Sequence, residues 1–161
     1  MIEVRRATLQ DAELLAAMNR ELIEDEGFNS HFTDEQLLER MRRFLTVDYR
    51  GIVFTDDGQD VGYALYRQSA DAYFPEHVEV TIFQYFIRRE VRGRRYGTTA
   101  FERMVAEFPE NAHISLSVAF HNEPGQAFWE SLGFKPHSVV MKRPVVPGTH
   151  PPSAEIRTIY S

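Results

Sequence analysis

Five arginines lie within eight consecutive positions of a chain whose formal net charge is −6. They belong to the segment RREVRGRRYG, residues 88–97, which also contains two glycines. A strand is predicted before this segment and a helix after it, and the first turn of a helix presents unpaired N–H groups and a partial positive charge. Arginine side chains add charge-assisted donors. The combination favours an anion with several oxygens, and a pyrophosphate fits it better than a carboxylate.

The elements that must position this segment follow from the hydrophobic periodicity. Strands are predicted at residues 2–5 and 77–87, a hairpin at 51–67, and two more strands at 113–120 (HISLSVAF) and 138–143 (SVVMKR). Helical spacing predicts helices through residues 14–23, 37–45, 97–108 and 124–132. This order is that of an α+β protein, in which helices cover the faces of one sheet.

Composition limits the class of protein and its partners. The 161 residues, 43% of them hydrophobic, suit one domain with a continuous core. The absence of cysteine excludes disulfides and thiolate metal sites. A pI near 5.5 argues against nucleic acid. Because no signal peptide or membrane span is evident, a cytoplasmic protein with no membrane partner is expected. The proline-rich residues 144–161 are expected to form an extended or docked tail.

Two segments carry a family resemblance. VRGRRYGTTAF, residues 91–101, resembles the acyl-CoA pyrophosphate loop of the GNAT superfamily of N-acetyltransferases. NEPGQAFWESLGF, residues 122–134, is similar to that family's Asn-x(4)-Ala-x-Tyr-x-x-Leu-Gly-Phe segment. A helix and a strand separate the two, as in the family. The resemblance implies a GNAT domain over residues 1–143: a mixed, mostly antiparallel sheet flanked by helices, with a splayed central strand pair.

The resemblance also implies acetyl-CoA as co-substrate, with no metal. Backbone groups of Tyr85, Phe86 and Ile87 would pair with the pantetheine arm as an added strand does. Asn122 would lie near the pantetheine arm and Trp129 near its thioester end, although Asn122 could simply cap a helix and Trp129 could pack in the core. The residues implied at the pyrophosphate are Arg92, Gly93, Arg94, Arg95, Tyr96, Gly97 and Thr98.

The sequence departs from the family pattern at the loop and at the catalytic positions. Arg95 stands where the family prefers a glycine, so either its backbone keeps an ordinary φ or its side chain turns outward. Trp129 matches a tyrosine that many members use as general acid, and an indole has no proton to give at useful pH. Thr81 and Ser117 match the family's glutamates, and neither can act as a base.

Direct attack of an amine on the thioester needs positioning, a carbonyl-polarising N–H and a base. Glu79 is the nearest carboxylate, on the same predicted strand face as Thr81, and Tyr85 is the second catalytic candidate. His121 is a weaker one. Each has a plainer interpretation: Glu79 as a solvated residue, Tyr85 as a packed one and His121 in an exposed loop.

The acceptor amine stays open. A small-molecule or peptide amine is expected, with a homodimer as a further possibility. Aromatic walls for it could come from Trp129, Tyr73, Phe74 and Phe28, although most large apolar residues belong to the core. A catalytically weak acyl-CoA-binding sensor and an anion or nucleic-acid contact through the arginines are the alternatives to an enzyme. An acidic stretch could attract a cationic acceptor or simply face water: Glu21, Glu24, Asp25 and Glu26.

Overall fold

The computed structural model describes residues 1–27 and 31–146. In this part of the chain one sheet has five strands in the order β1-β2-β3-β4-β5; the first four pair antiparallel, and β5 is parallel to β4. This confirms the expected mixed, mostly antiparallel sheet. The strands are β1 (Ile2–Arg6), β2 (Arg50–Asp56), β3 (Gln59–Ala70), β4 (Val78–Ile87) and β5 (Ala112–Leu116).

Helices cover both faces of the sheet. They are α1 (Ala12–Asp25), α2 (Asp34–Arg43), α3 (Tyr96–Val105) and α4 (Glu123–Ser131). A capping box starts α2: Thr33 Oγ1 accepts from the Gln36 N–H at 3.2 Å, and the Thr33 N–H donates to Gln36 Oε1 at 2.8 Å. A π-helical turn, Phe44–Asp48, then leads to β2. The predicted helices are therefore present, with ends shifted by a few residues.

The sheet separates two hydrophobic cores. On one face, Leu15 and Met18 of α1 and Met41 of α2 pack with Tyr63 and other sheet residues. On the other face, residues of α3 and α4 pack against alternate sheet residues, among them Ala100, Met104, Trp129, Phe54 and Tyr85. Each helix buries one stripe, as its apolar periodicity predicts.

A β-bulge at Phe83 changes the alternation of side chains along β4. Leu65 of β3 lies opposite Gln84, while its neighbour Tyr66 lies opposite Ile82, so Phe83 has no partner of its own. Ile82 and Tyr85 therefore face the same core, although three positions separate them. Without the bulge, odd-numbered residues would share one face throughout the strand.

The central strands separate at the same point. β4 pairs with β5 only from Val78 to Ile82, opposite Ala112 to Leu116. From residue 83 onward, the β4 edge that faces β5 has no strand partner among the described residues. The splay that the resemblance implied is therefore present.

Some expectations are corrected or fall outside the described residues. Residues 138–143 are not a strand, and Val139, Val140 and Met141 are 77%, 71% and 89% exposed. That prediction was wrong because β-branched residues favour a strand only where a neighbouring strand and a packed face are available. Phe28 and residues 147–161, which include most of the predicted tail, are not described. None of the helices described is both long and apolar enough to cross a membrane.

Candidate functional site

A cleft of about 620 Å³ opens at the splay. The end of β4, the loop before α3, the loop before α4 and the last turn of α1 enclose it. All of the predicted cofactor-binding residues line this cleft except Arg94 and Trp129. Those that do are Tyr85, Phe86, Ile87, Arg92, Gly93, Arg95, Tyr96, Gly97, Thr98 and Asn122.

The loop before α3 contains three successive residues in the left-handed region. The φ angles of Gly93, Arg94 and Arg95 are 85°, 53° and 61°. Arg95 is the N-cap of α3, so an ordinary φ at this position, one of the two alternatives above, is excluded. A non-glycine residue in this conformation costs about 1 to 3 kcal/mol, and such strain is concentrated at functional sites.

The first turn of α3 faces the cleft. Gly97 and Thr98 line it, and their N–H groups lie in the helical turn that has no acceptor within the helix. A Cβ on Gly97 would lie 3.2 Å from two ring carbons of Phe128 across the cleft wall. Glycine here keeps the backbone close to that wall, where the helix terminus attracts an anion.

Tyr85 holds this turn in place. Its hydroxyl donates to the Gly97 carbonyl at 2.5 Å, and its ring packs against Phe101, Phe128 and Trp129. Burial raises the pKa of Tyr85 well above its ordinary value, so the phenol remains protonated. Tyr85 thus joins the open end of β4 to the helix terminus.

The five arginines divide into two groups. Arg88 pairs with Glu21 at 3.1 Å, Arg89 pairs with Asp25 at 2.5 Å and with Glu24 at 3.4 Å, and Arg92 also pairs with Asp25. The acidic end of α1, considered above as an attractor for an amine, is thus bound to arginines. Arg94 and Arg95 are exposed and make no ion pair with any other described residue.

The open edge of β4 presents backbone groups to the cleft. The Arg88 N–H donates to the Val61 carbonyl of β3 at 2.9 Å. Because alternate residues direct their backbone groups to opposite neighbours, those of Tyr85 and Ile87 point away from β3. Arg92 Nε confirms this direction by donating to the Ile87 carbonyl at 2.8 Å. The cleft therefore has a row of strand donors and acceptors beside it.

Asn122 has a clear local role. Its side chain accepts from the Gly125 N–H at 3.0 Å and caps α4, with Pro124 in the first turn. A Cβ at Gly125 would lie 2.4 Å from Asn122 Nδ2, so glycine is required for this cap. Asn122 also lines the cleft, and the two roles are compatible.

Trp129 lies behind the cleft wall. It is 4% exposed and makes edge-to-face contacts with Tyr85, Phe101 and Phe134 at centroid distances of 5.2, 5.7 and 5.4 Å. Its neighbour Phe128 lines the cleft instead. Consecutive helical residues point about 100° apart, so Trp129 is buried in the core while Phe128 packs at its margin and is partly exposed to the cleft. Phe128 is not among the predicted site residues, although it lies within the second motif.

The catalytic candidates are not brought together. Glu79 lies opposite His113 on β5, and Thr81 lies opposite Ser115, with 3.4 Å between their hydroxyl oxygens. These side chains occupy the face of β4 opposite to Tyr85, because the bulge intervenes. Glu79 does not line the cleft, whereas His121 does.

The fold and the cleft define a class of protein, and comparison with known proteins names it. Residues 15–134 match the model of the Acetyltransferase (GNAT) family. The chain belongs to that family. No curated protein sequence matches it significantly.

Three solved structures show the same fold. A possible acetyltransferase from Clostridium difficile 630 has 20% identity and a TM-score of 0.74, covering 91% of this chain and 98% of its own. A predicted acetyltransferase with acetyl-CoA from Clostridium acetobutylicum has 16% identity and a TM-score of 0.68, covering 93% and 100%. The ribosomal-protein-alanine N-acetyltransferase from Brucella melitensis biovar Abortus 2308 has 13% identity and a TM-score of 0.70, covering 88% and 99%.

Proposed function

We propose that this protein transfers the acetyl group of acetyl-CoA to a primary amine by direct attack in a ternary complex. One observation carries the proposal: the open edge of β4 and the N-terminus of α3 border the same cleft. A strand edge suits an extended amide-containing arm, and a helix N-terminus suits a pyrophosphate. Acetyl-CoA contains both groups in series.

In the proposed complex the pyrophosphate binds at the N–H groups of Gly97 and Thr98. Arg94 and Arg95, the loop arginines without an acidic partner among the described residues, supply the charge-assisted donors. The pantetheine arm pairs with the backbone of Tyr85 and Ile87. For that pairing, Arg92 Nε either keeps its bond to the Ile87 carbonyl or yields it to the arm.

The chemical step needs one bond formed and one broken. The amine nitrogen attacks the thioester carbon, the C–S bond breaks, and the thiolate departs without prior protonation. A β4 N–H beside the splay polarises the carbonyl, and a group near the cleft removes the extra proton of the amine. Tyr85 contributes its backbone and holds α3, since its hydroxyl is bonded to Gly97.

Two side chains are proposed for proton removal. Glu79 reaches the reacting amine through water along the face of β4 below the splay, and His121 reaches it from the cleft itself. Glu79→Gln and His121→Asn remove each base with little change in shape. The variant that lacks the working base should have a turnover lower by about 100-fold or more, with unchanged acetyl-CoA affinity. If both variants and the control His137→Asn all keep wild-type turnover from pH 6 to 9, neither residue is the base.

The acceptor is proposed to be a small-molecule or peptide amine. The Brucella relative is described as acting on a ribosomal-protein alanine, which makes a peptide N-terminus one class to test. A panel should therefore contain peptides, amino acids, polyamines and aminoglycosides. Release of the free thiol, measured with each amine and against a blank without amine, identifies the class.

An acyl-CoA-binding sensor is the second candidate. It is favoured by one observation, namely that Trp129 and Thr81 supply neither an acid nor a base where many relatives have both. Acetyl-CoA at 100 times its Kd should raise the free energy of unfolding by about 2.7 kcal/mol for either function. Stabilisation without turnover on any amine would favour the sensor. The absence of any thermal shift with millimolar acetyl-CoA would contradict both.

A further inference from the structure

Three metal-binding side chains lie together at the end of β4 remote from the cleft. Asp71 follows β3, His77 precedes β4, and His113 is the second residue of β5. Each offers one ligand atom, and these atoms lie within 4.8 Å of one another. Along β4, His77 is about 25 Å from Tyr85 at the usual rise of a strand. This cluster is therefore separate from the proposed cofactor cleft, although His113 lies opposite Glu79, one of the two proposed bases, in the sheet.

The two imidazole rings face each other. Their centroids are 3.8 Å apart with an angle of 33° between the ring planes, and the Phe74 ring packs against His77 at 5.6 Å. His77 Nδ1 is buried and has no hydrogen-bond partner in the described part of the chain. A buried polar atom without a partner is costly, and buried histidines normally satisfy both nitrogens.

The carboxylate of Asp71 is already oriented. Its Oδ1 accepts from the N–H groups of Tyr73 and Phe74 at 2.8 and 3.0 Å. These bonds lower the pKa of Asp71, with a smaller contribution from the charges of His77 and His113. Ligating carboxylates in metal sites are held by hydrogen bonds of this kind, which leave the second oxygen for the ion.

The backbone around the cluster is tied down. The His77 N–H donates to the Phe74 carbonyl at 2.9 Å, and the Val78 N–H donates to the Asn111 carbonyl at 3.2 Å. Asn111 Nδ2 also donates to the Glu76 carbonyl at 2.8 Å. The loop between β3 and β4 is therefore fixed to the chain just before β5, and all three ligands belong to this fixed unit.

We propose that Asp71, His77 and His113 form a zinc-binding site. Two imidazoles and one carboxylate are ligands that Zn²⁺ accepts in tetrahedral sites, with water as the fourth ligand. Bonds of about 2.0 to 2.1 Å place the ligand atoms of such a site about 3.3 Å apart. The cluster needs to contract by no more than about 1.5 Å, and His113 is the exposed member of the three. The bound ion joins the β3–β4 loop to β5.

Calorimetric titration of the untagged full chain with ZnCl₂, after treatment with a chelator and desalting, tests this proposal. We expect one ion per chain with a Kd of about 10 µM or tighter, no competition by Mg²⁺, and a visible spectrum typical of tetrahedral Co²⁺ when cobalt replaces zinc. Zn²⁺ at 100 times its Kd should raise Tm by about 5 to 10 °C. Acetyl-CoA binding should be the same with and without the ion.

Matched variants identify the ligands. Asp71→Asn keeps the oxygen that accepts from Tyr73 and Phe74, so the loop remains folded while the charged ligand is lost. Asp71→Asn and His113→Gln should each weaken Zn²⁺ binding at least 10- to 100-fold, and His137→Asn on the exposed chain beyond α4 should have no effect. Failure of the wild-type chain to bind one ion, or equal binding by wild type, Asp71→Asn and His113→Gln, would overturn the assignment.

Discussion

Substitutions at Gly97 can test the proposed anion site, because they separate the effect of side-chain size from the effect of charge. It lies in the first turn of α3, and a Cβ there would lie 3.2 Å from the Phe128 ring. Gly97→Ala therefore requires a shift of a few tenths of an ångström, and acetyl-CoA affinity should fall only a few-fold. Gly97→Gln adds bulk to the cleft, and Gly97→Glu adds nearly the same bulk with a negative charge.

The charge effect can be estimated from Coulomb's law. A carboxylate about 6.5 Å from a phosphate at an effective dielectric constant of about 20 raises the binding free energy by about 2.5 kcal/mol, or roughly 60-fold in Kd. Calorimetric titration should show this difference between Gly97→Glu and Gly97→Gln at low salt. The difference should shrink at high salt, since part of it is screened.

Equal acetyl-CoA affinity of the Glu and Gln variants would refute the placement of the pyrophosphate at this helix terminus. A lower Tm for both variants would not account for a difference between them, because the steric cost is shared. Each variant's Tm without ligand should accompany its titration as a control for folding.

Three further predictions concern Trp129, Arg95 and the surface ion pair between Arg5 and Asp11. Trp129→Phe should lower the free energy of unfolding by about 1 to 3 kcal/mol, because it leaves a core cavity, and its turnover should stay within about tenfold of wild type. A far larger loss of turnover at an unchanged Tm would give the Trp129 ring a direct role. Arg95→Gly should raise the free energy of unfolding in denaturant by up to about 1 kcal/mol, because it removes an arginine from the left-handed region, and it should weaken acetyl-CoA binding. If stability and affinity both rose or both fell, the assignment of the loop would be contradicted. Arg5 donates hydrogen bonds to the Asp11 carboxylate and lowers its pKa in the folded state. The stabilisation from this pair is complete above the unfolded-state pKa of Asp11 and is lost as pH falls through its folded-state pKa. Asp11→Asn should therefore lower Tm at pH 7, and the difference from wild type should begin to shrink as pH falls below about 4 and disappear only below the lowered folded pKa of Asp11.

The element order, the helix caps and the loop at the cleft could be predicted because they depend on local patterns. Capping at Thr33, the apolar stripe of α3 and the spacing of the two motifs are properties of short segments. Hydrophobic periodicity also fixed which helix faces are buried. These features gave the family and the location of the candidate cleft before any tertiary contact was known.

The catalytic face could not be predicted because a bulge leaves no signal in this strand. Seven of the residues 78–87 are aliphatic or aromatic, and their types do not identify Phe83 as the extra residue. Strict alternation would have placed Glu79 and Tyr85 on one face of β4. One inserted residue places them on opposite faces, so the choice of candidate proton-transfer groups depends on register and not on composition.

The neutralisation of three of the five arginines by acidic residues of α1 could not be predicted, for a different reason. Glu21 and Arg88 are 67 residues apart in sequence, and only the packing of α1 against the loop brings them together. The left-handed φ of Arg95 could not be predicted either. It depends on how the loop closes, and glycine is the residue usually expected in that conformation.

The pairing of three loop arginines with α1 has a consequence for the rate of ligand association. Neutralising them leaves the −6 formal charge of the chain to dominate at long range, so an anionic ligand approaches against a weak repulsive field. Capture of an anionic ligand such as the proposed acetyl-CoA then depends on contacts formed after encounter. Added salt should slightly raise the association rate constant and raise the dissociation rate constant more. In electrostatically steered binding, by contrast, salt slows association.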